Sequence, residues 1–150
     1  MKLIAHRGNL IGPNSPRENH PDYCREAVKQ GFDVEIDVWY IDKKLYTGHD
    51  TPTYGPIKYD YFLSKNIWIH AKNGDAFDLF RIDCEANVFW HTTEDWVLTS
   101  CGFLWTYPNK TLYKGSVCVL PELGWLGEIY DCHAVCTDYV YEFQKEFELK

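Results

Sequence analysis

The sequence has no stretch long and apolar enough to span a bilayer, no basic stripe and no Cys-x-x-Cys pair. It also has no linker, low-complexity tract or internal repeat. The first absence argues against an integral membrane segment, because a spanning helix needs about 20 apolar residues. With a net charge of −7 and no clustered Lys or Arg, nucleic acid is not the expected partner, since phosphate backbones are met by basic surfaces. No signal-peptide core precedes the first strand-like run; Met-Lys-Leu-Ile-Ala-His leads straight into it. The expectation is a cytoplasmic protein starting at Met1. Cys24, Cys84, Cys101, Cys118, Cys132 and Cys136 fit that compartment as reduced thiols, several of them inside apolar runs. Cys132, His133 and Cys136 have the wrong spacing for a zinc finger, and no second ligand pair follows.

What is present is apolar and aromatic. The 150 residues are 45% hydrophobic, enough for a core in a single domain covering residues 1–150. Aromatics reach 17%, and Trp39, Trp68, Trp90 and Trp105 fall in strand-like runs, where the simplest role is core packing. Strand patterns cover Lys2–His6, Asp33–Ile41, Lys44–His49, Ile67–Lys72, Asn87–Thr92, Phe103–Tyr107, Ser116–Leu120 and Ala134–Asp138. The best helix is Pro21–Gln30, with Pro21 in the first turn, Gly31 after the end, and Tyr23, Cys24, Ala27 and Val28 as its apolar stripe. Weaker helical patterns are Tyr59–Ser64, Phe77–Ile82, Trp125–Tyr130 and Tyr139–Phe147, the last continuing into a charged tail that ends at Lys150. Eight strands with intermittent helices suggest an α/β fold, a compact (β/α)8 TIM-type barrel with several helices shortened or missing. At about 19 residues per unit the chain is far below the usual ~250. An incomplete barrel or a small open sheet is the rival architecture.

The chemistry-bearing residues gather at strand ends. Alternation along the second strand puts Asp33, Glu35, Asp37 and Trp39 on one face, with Glu35 and Asp37 about 7 Å apart, suited to one hard cation. On the fourth, Trp68, His70 and Lys72 share a face. His6 and His49 each close an apolar run, the end where α/β barrels carry their active sites, and imidazole is poised for proton transfer near neutral pH. Lesser candidates are His91, facing a pocket or capping the core, and Trp105 with Tyr107, stacking on a sugar or glycerol moiety or packing inside. His20 and His133 read as loop or helix-end residues.

In chain order, His6-Arg7-Gly8, Glu18-Asn19, Glu35-Ile36-Asp37 and His49-Asp50 resemble the signature of the glycerophosphodiester phosphodiesterase family, relatives of phosphatidylinositol-specific phospholipase C. The likeness covers about fifty N-terminal residues; Lys72 and Thr137-Asp138 match more loosely. The resemblance implies that His6 and His49 are general acid and base, and that Glu35 and Asp37 hold a divalent ion, magnesium or calcium in the family. It also implies that Arg7 and Lys72 neutralise phosphate oxygens, while Glu18 and Asn19 line the site. The family's third acidic ligand position is occupied by His70, which shifts preference towards manganese, zinc or iron; Glu122 is a further acidic candidate.

The expected function is a metal-dependent phosphodiesterase cleaving a small glycerol- or sugar-linked phosphodiester. The alternative, from a different class, is a non-catalytic barrel that binds a phosphorylated ligand, in a carbohydrate or surface-polymer pathway. Exposed strand flanks on a trimmed barrel leave a homodimer open.

Overall fold

The computed structural model describes residues 1–125, 129 and 131–148. Its parallel strands are β1 (Lys2–His6), β2 (Asp33–Ile41), β5 (Ile67–Ala71), β6 (Asn87–Phe89), β8 (Leu104–Thr106), β9 (Ser116–Val119) and β10 (Ala134–Thr137). They lie in the order β6-β5-β2-β1-β10-β9-β8. Three more strands run antiparallel to a neighbour. β3 (Lys44–Thr47) pairs with the far end of β2, β4 (Tyr54–Ile57) with β3, and β7 (Trp96–Leu98) with β8. β2 can hold β1, β5 and β3 because it is nine residues long: β1 pairs with its first residues, β3 with its last and β5 with its middle.

All eight strand patterns correspond to strands, but the barrel expectation is overturned. The sheet is mixed and curls into a half-barrel, with three short α-helices among the described residues: α1 (Pro21–Lys29), α2 (Gly74–Phe80) and α3 (Val140–Glu148). Chain length explains this. A strand, a crossover helix and two loops need about 30 residues, and this chain has far fewer per strand. β6 pairs with β5 alone, so no ladder joins β6 to β8. Ser100 bridges the seam instead: its N–H donates to the Val88 carbonyl (2.8 Å), and its hydroxyl accepts from Val88 N–H (2.9 Å).

The helices form where local signals are strong. α1 starts at His20, whose ring accepts from Asp22 N–H, and its Tyr23, Cys24 and Ala27 stripe is buried. α2 starts earlier than its apolar pattern suggests, because Asn73 caps it through Ala76 N–H. The Tyr59–Ser64 pattern forms only a 3-10 turn, Tyr59–Phe62. The Trp125–Tyr130 pattern lies largely outside the described residues.

Alternation sorts the side chains onto two faces. Under the helices pack Ala5, Val34, Ile36, Val38, Ile67, Ile69 and Val88, with Cys24, Ala27, Ala76 and Phe80 from above. The concave face is filled by Ile4, Trp68, Phe89, Trp105, Val117 and Cys136. Trp68 and Trp105 are thus core residues as their patterns imply, whereas Trp90 is 45% exposed. All six cysteines are free thiols, and Cys24, Cys118, Cys132 and Cys136 are buried. No helix among the described residues is long and apolar enough to cross a membrane.

Candidate functional site

The parallel strands end together at one rim, and their register decides which side chains meet there. His6 pairs with Glu35, Glu35 with Trp68, Asp37 with His70, and His70 with Phe89. Strands about 4.8 Å apart therefore carry His6, Glu35, Asp37 and His70 into one group above the aromatic filling of the concave face.

The His6-Arg7-Gly8 corner makes this possible. Arg7 and Gly8 both adopt positive φ (53° and 88°), which turns the chain sharply off β1. A Cβ on Gly8 would sit 3.0 Å from Tyr23 Cδ1 and 3.2 Å from the Cys24 nitrogen, so glycine lets α1 close against the corner. The turn aims Arg7 N–H at Glu35 Oε2 (3.2 Å), while its guanidinium lies between Asp37 Oδ2 (Nε, 3.2 Å) and Glu18 Oε2 (Nη1, 3.3 Å).

Asp37 is the centre. It is completely buried, and its carboxylate is approached by Arg7, by His70 Nδ1 (3.0 Å), by Lys72 Nζ (3.3 Å) and by Asn19 Nδ2, which donates at 2.8 Å. Burial alone would raise its pKa, but His70, Lys72 and Arg7 outweigh that and hold it well below the usual carboxylate range. His70 shows the reverse balance. Burial disfavours its charge, yet Asp37 and Glu35 (3.6 Å) raise its pKa to about 9. An ion binding there must therefore displace a proton from His70.

His6 is held by its other nitrogen. Nδ1 lies 2.8 Å from Asp138 Oδ1, and Nε2 faces Glu35 Oε2 at 3.9 Å. Burial lowers its pKa, but Asp138 and Glu35 prevail and the net shift is upward. Asn9 ties this arm to the Arg7 arm, donating to both Asp138 Oδ1 (2.8 Å) and Glu18 Oε1 (3.0 Å). Glu122 anchors the end of β10, accepting from Thr137 Oγ1 and Asp138 N–H, and is no part of the carboxylate pair.

The structure thus brings together His6, Arg7, Glu18, Asn19, Glu35, Asp37, His70 and Lys72. His49 stands apart. Gly48 N–H bonds the Asp37 carbonyl, which places His49 at the same rim, but its half-exposed ring pairs with Asp50 at 2.7 Å. Trp105 stands apart too: it is stacked on Phe89 (4.3 Å) inside the core and supports the site from below. Tyr107 packs against His91 (4.5 Å), whose carbonyl lies 3.4 Å from His70 Nε2.

Sequence reasoning missed Asn9, whose neighbourhood carried no signal beyond its closeness to Gly8. The tether from Asp138 to His6 was likewise hidden, although Asp138 follows an apolar strand as His6 ends one.

For a divalent ion the donors fit. Among the described residues, one group of three potential ligands has its atoms within 4.8 Å of one another, and it is Glu35, Asp37 and His70. Asp37 Oδ1 is buried without a hydrogen bond of acceptable angle. Glu18, Glu35, Asp37 and Asp138 face Arg7 and Lys72, and the upward-shifted His6 and His70 supply the remaining positive charge, which a bound ion would take over from His70. Comparison of the chain with family models, curated proteins and solved structures found no match in any of the three.

Proposed function

We infer that this chain is a metal-dependent phosphodiesterase of the glycerophosphodiester phosphodiesterase type, acting on a small glycerol- or sugar-linked phosphodiester. The observation that carries the reading is the convergence on buried Asp37 of a carboxylate partner, two permanent cations and an imidazole, with a carboxylate-tethered His6 alongside. Glu35, Asp37 and His70 would hold a divalent ion, which would supply charge stabilisation at the phosphoryl oxygens. Arg7 and Lys72 neutralise the remaining phosphate charge. His6, its Nδ1 fixed by Asp138, moves a proton at Nε2, and His49 serves as the second proton carrier from the rim.

The test is hydrolysis of glycerophosphocholine and bis(p-nitrophenyl) phosphate, with Mg(II), Ca(II), Mn(II) or Zn(II) added and with chelator. Turnover should need a metal, and His6→Ala and His49→Ala should each lower it about a hundredfold or more. Near-wild-type rates in both variants would remove the mechanism. The exposed position of His49 favours a second reading, a sheet that binds a phosphorylated ligand without turning it over. That reading gains if no metal supports hydrolysis while a phosphorylated ligand raises the melting temperature.

A further inference from the structure

The candidate ligand group differs from an all-oxygen site by one atom, a ring nitrogen of His70, and several contacts aim that atom. His70 Nδ1 faces Asp37 Oδ1 at 3.0 Å and Glu35 Oε1 at 3.6 Å. Its Nε2 is turned the other way, 3.4 Å from the His91 carbonyl. Phe89, paired with His70 across β5 and β6, stacks on the imidazole at 4.9 Å with 11° between planes, and Trp105 backs Phe89. A ligating histidine typically presents itself this way. The far N–H goes to a carbonyl, which fixes the tautomer and leaves the near nitrogen with its lone pair towards the ion. The oxygen side is prepared as well: Asp37 Oδ2 is occupied by Asn19 and Arg7, while buried Oδ1 lacks a well-formed hydrogen bond.

We propose, building on the cation-binding part of the reading above, that Glu35, Asp37 and His70 form a mixed nitrogen–oxygen site. It takes a first-row transition ion, Mn(II), Fe(II), Co(II) or Zn(II), in preference to Mg(II) and Ca(II), and His70 binds through Nδ1. Two arguments set the preference. Imidazole nitrogen adds affinity along the series from manganese to zinc, whereas magnesium and calcium favour oxygen. Calcium also needs about six to eight oxygens, whereas the remaining neighbours of the Asp37 carboxylate are Arg7 and Lys72, which offer none, and Asn19, which turns its Nδ2 to the carboxylate and commits its Oδ1 to the Asp37 backbone N–H.

The test is binding by the whole chain, stripped with chelator and titrated with Mn(II), Mg(II) and Ca(II) by calorimetry, with the manganese resonance followed in parallel. Mn(II) should bind at least about tenfold more tightly than Mg(II), and His70→Gln should lose about tenfold or more of that affinity. His70→Glu should narrow or reverse the preference. Equal Mn(II) and Mg(II) binding in the wild type, or unchanged Mn(II) affinity in His70→Gln, would overturn the proposal.

Should the variants fail to fold, the Co(II)-loaded wild type decides. A strongly shifted, exchangeable imidazole proton supports His70 as ligand, and bound cobalt without it refutes the assignment. Cobalt held only by the exposed thiols of Cys84 and Cys101, seen as sulfur-to-cobalt absorption that Asp37→Asn leaves unchanged, also refutes it. Ions bound in the expected order without hydrolysis of any phosphodiester would remove the phosphodiesterase reading and support the metal assignment. Failure of every ion to bind would remove both.

Discussion

Asn19→Ala tests how the centre of the site is held. Asn19 is buried and reaches Asp37 twice: Nδ2 donates to Oδ2 and Oδ1 accepts from the Asp37 backbone N–H, both at 2.8 Å. Its carbonyl accepts from Thr47 Oγ1, a bond that alanine would keep. Truncation strands a buried N–H, at about 1–3 kcal/mol, and removes a hydrogen bond to a charged oxygen, at about 1.5–3 kcal/mol. Oδ2 keeps Arg7 as a partner, which argues for the lower part of the second range. Asn19 also sits at φ 63°, a conformation asparagine tolerates better than alanine, adding up to about 1 kcal/mol. The expected loss is about 3–5 kcal/mol. At roughly 2–4 °C per kcal/mol for a chain of this size, that lowers Tm by about 6–20 °C. Urea unfolding and calorimetry on the metal-free protein measure it directly. A loss below about 1 kcal/mol would show that water replaces the amide and that Asn19 does not hold Asp37 in place.

Two further predictions concern stability. Gly8→Ala forces a Cβ into Tyr23 and Cys24 at positive φ and should cost about 2–4 kcal/mol; an unchanged urea midpoint would mean the corner relaxes freely. His133 stacks on Phe103 (4.2 Å), and burial, then the nearby Lys2 ammonium, hold its pKa below the ordinary imidazole value of 6.5. A depressed folded value means stability is fully present above about pH 6.5 and is lost as pH falls through the folded pKa. Wild type should therefore lose more unfolding free energy than His133→Phe between pH 7.5 and 5. Parallel curves would refute that assignment.

The strands were legible from apolar runs, as in β1, or from alternation of apolar and polar residues, as in β2 and β5. β4 was not, because Gly55-Pro56 reads as a turn, and the three apolar residues of β7, Trp96-Val97-Leu98, show no alternation. The barrel expectation failed for a different reason. Periodicity counts strands but does not reveal whether the ends meet, and here the short connections leave the sheet open. Within the site, alternation placed Glu35, Asp37, His70 and Lys72 on the right faces. It gave no view of His49, whose position follows from an antiparallel hairpin at the end of β2. Nor could alternation distinguish a Trp105 that stacks on a ligand from one that stacks on Phe89. That is settled by the curl of the sheet, which sets Phe89 of β6 against Trp105 of β8.

The Ser100 clasp bears on the candidate site through one neighbouring residue. β6 is paired with β5 on one side, while on the other Ser100 clasps Val88 and Trp105 stacks on Phe89, the ring beneath His70. The aim of that imidazole is therefore inherited in part from a hydroxyl and an amide that make no bond to it. A substitution at the clasp would be felt first as a tilt in an aromatic plane, well before it registered as unfolding.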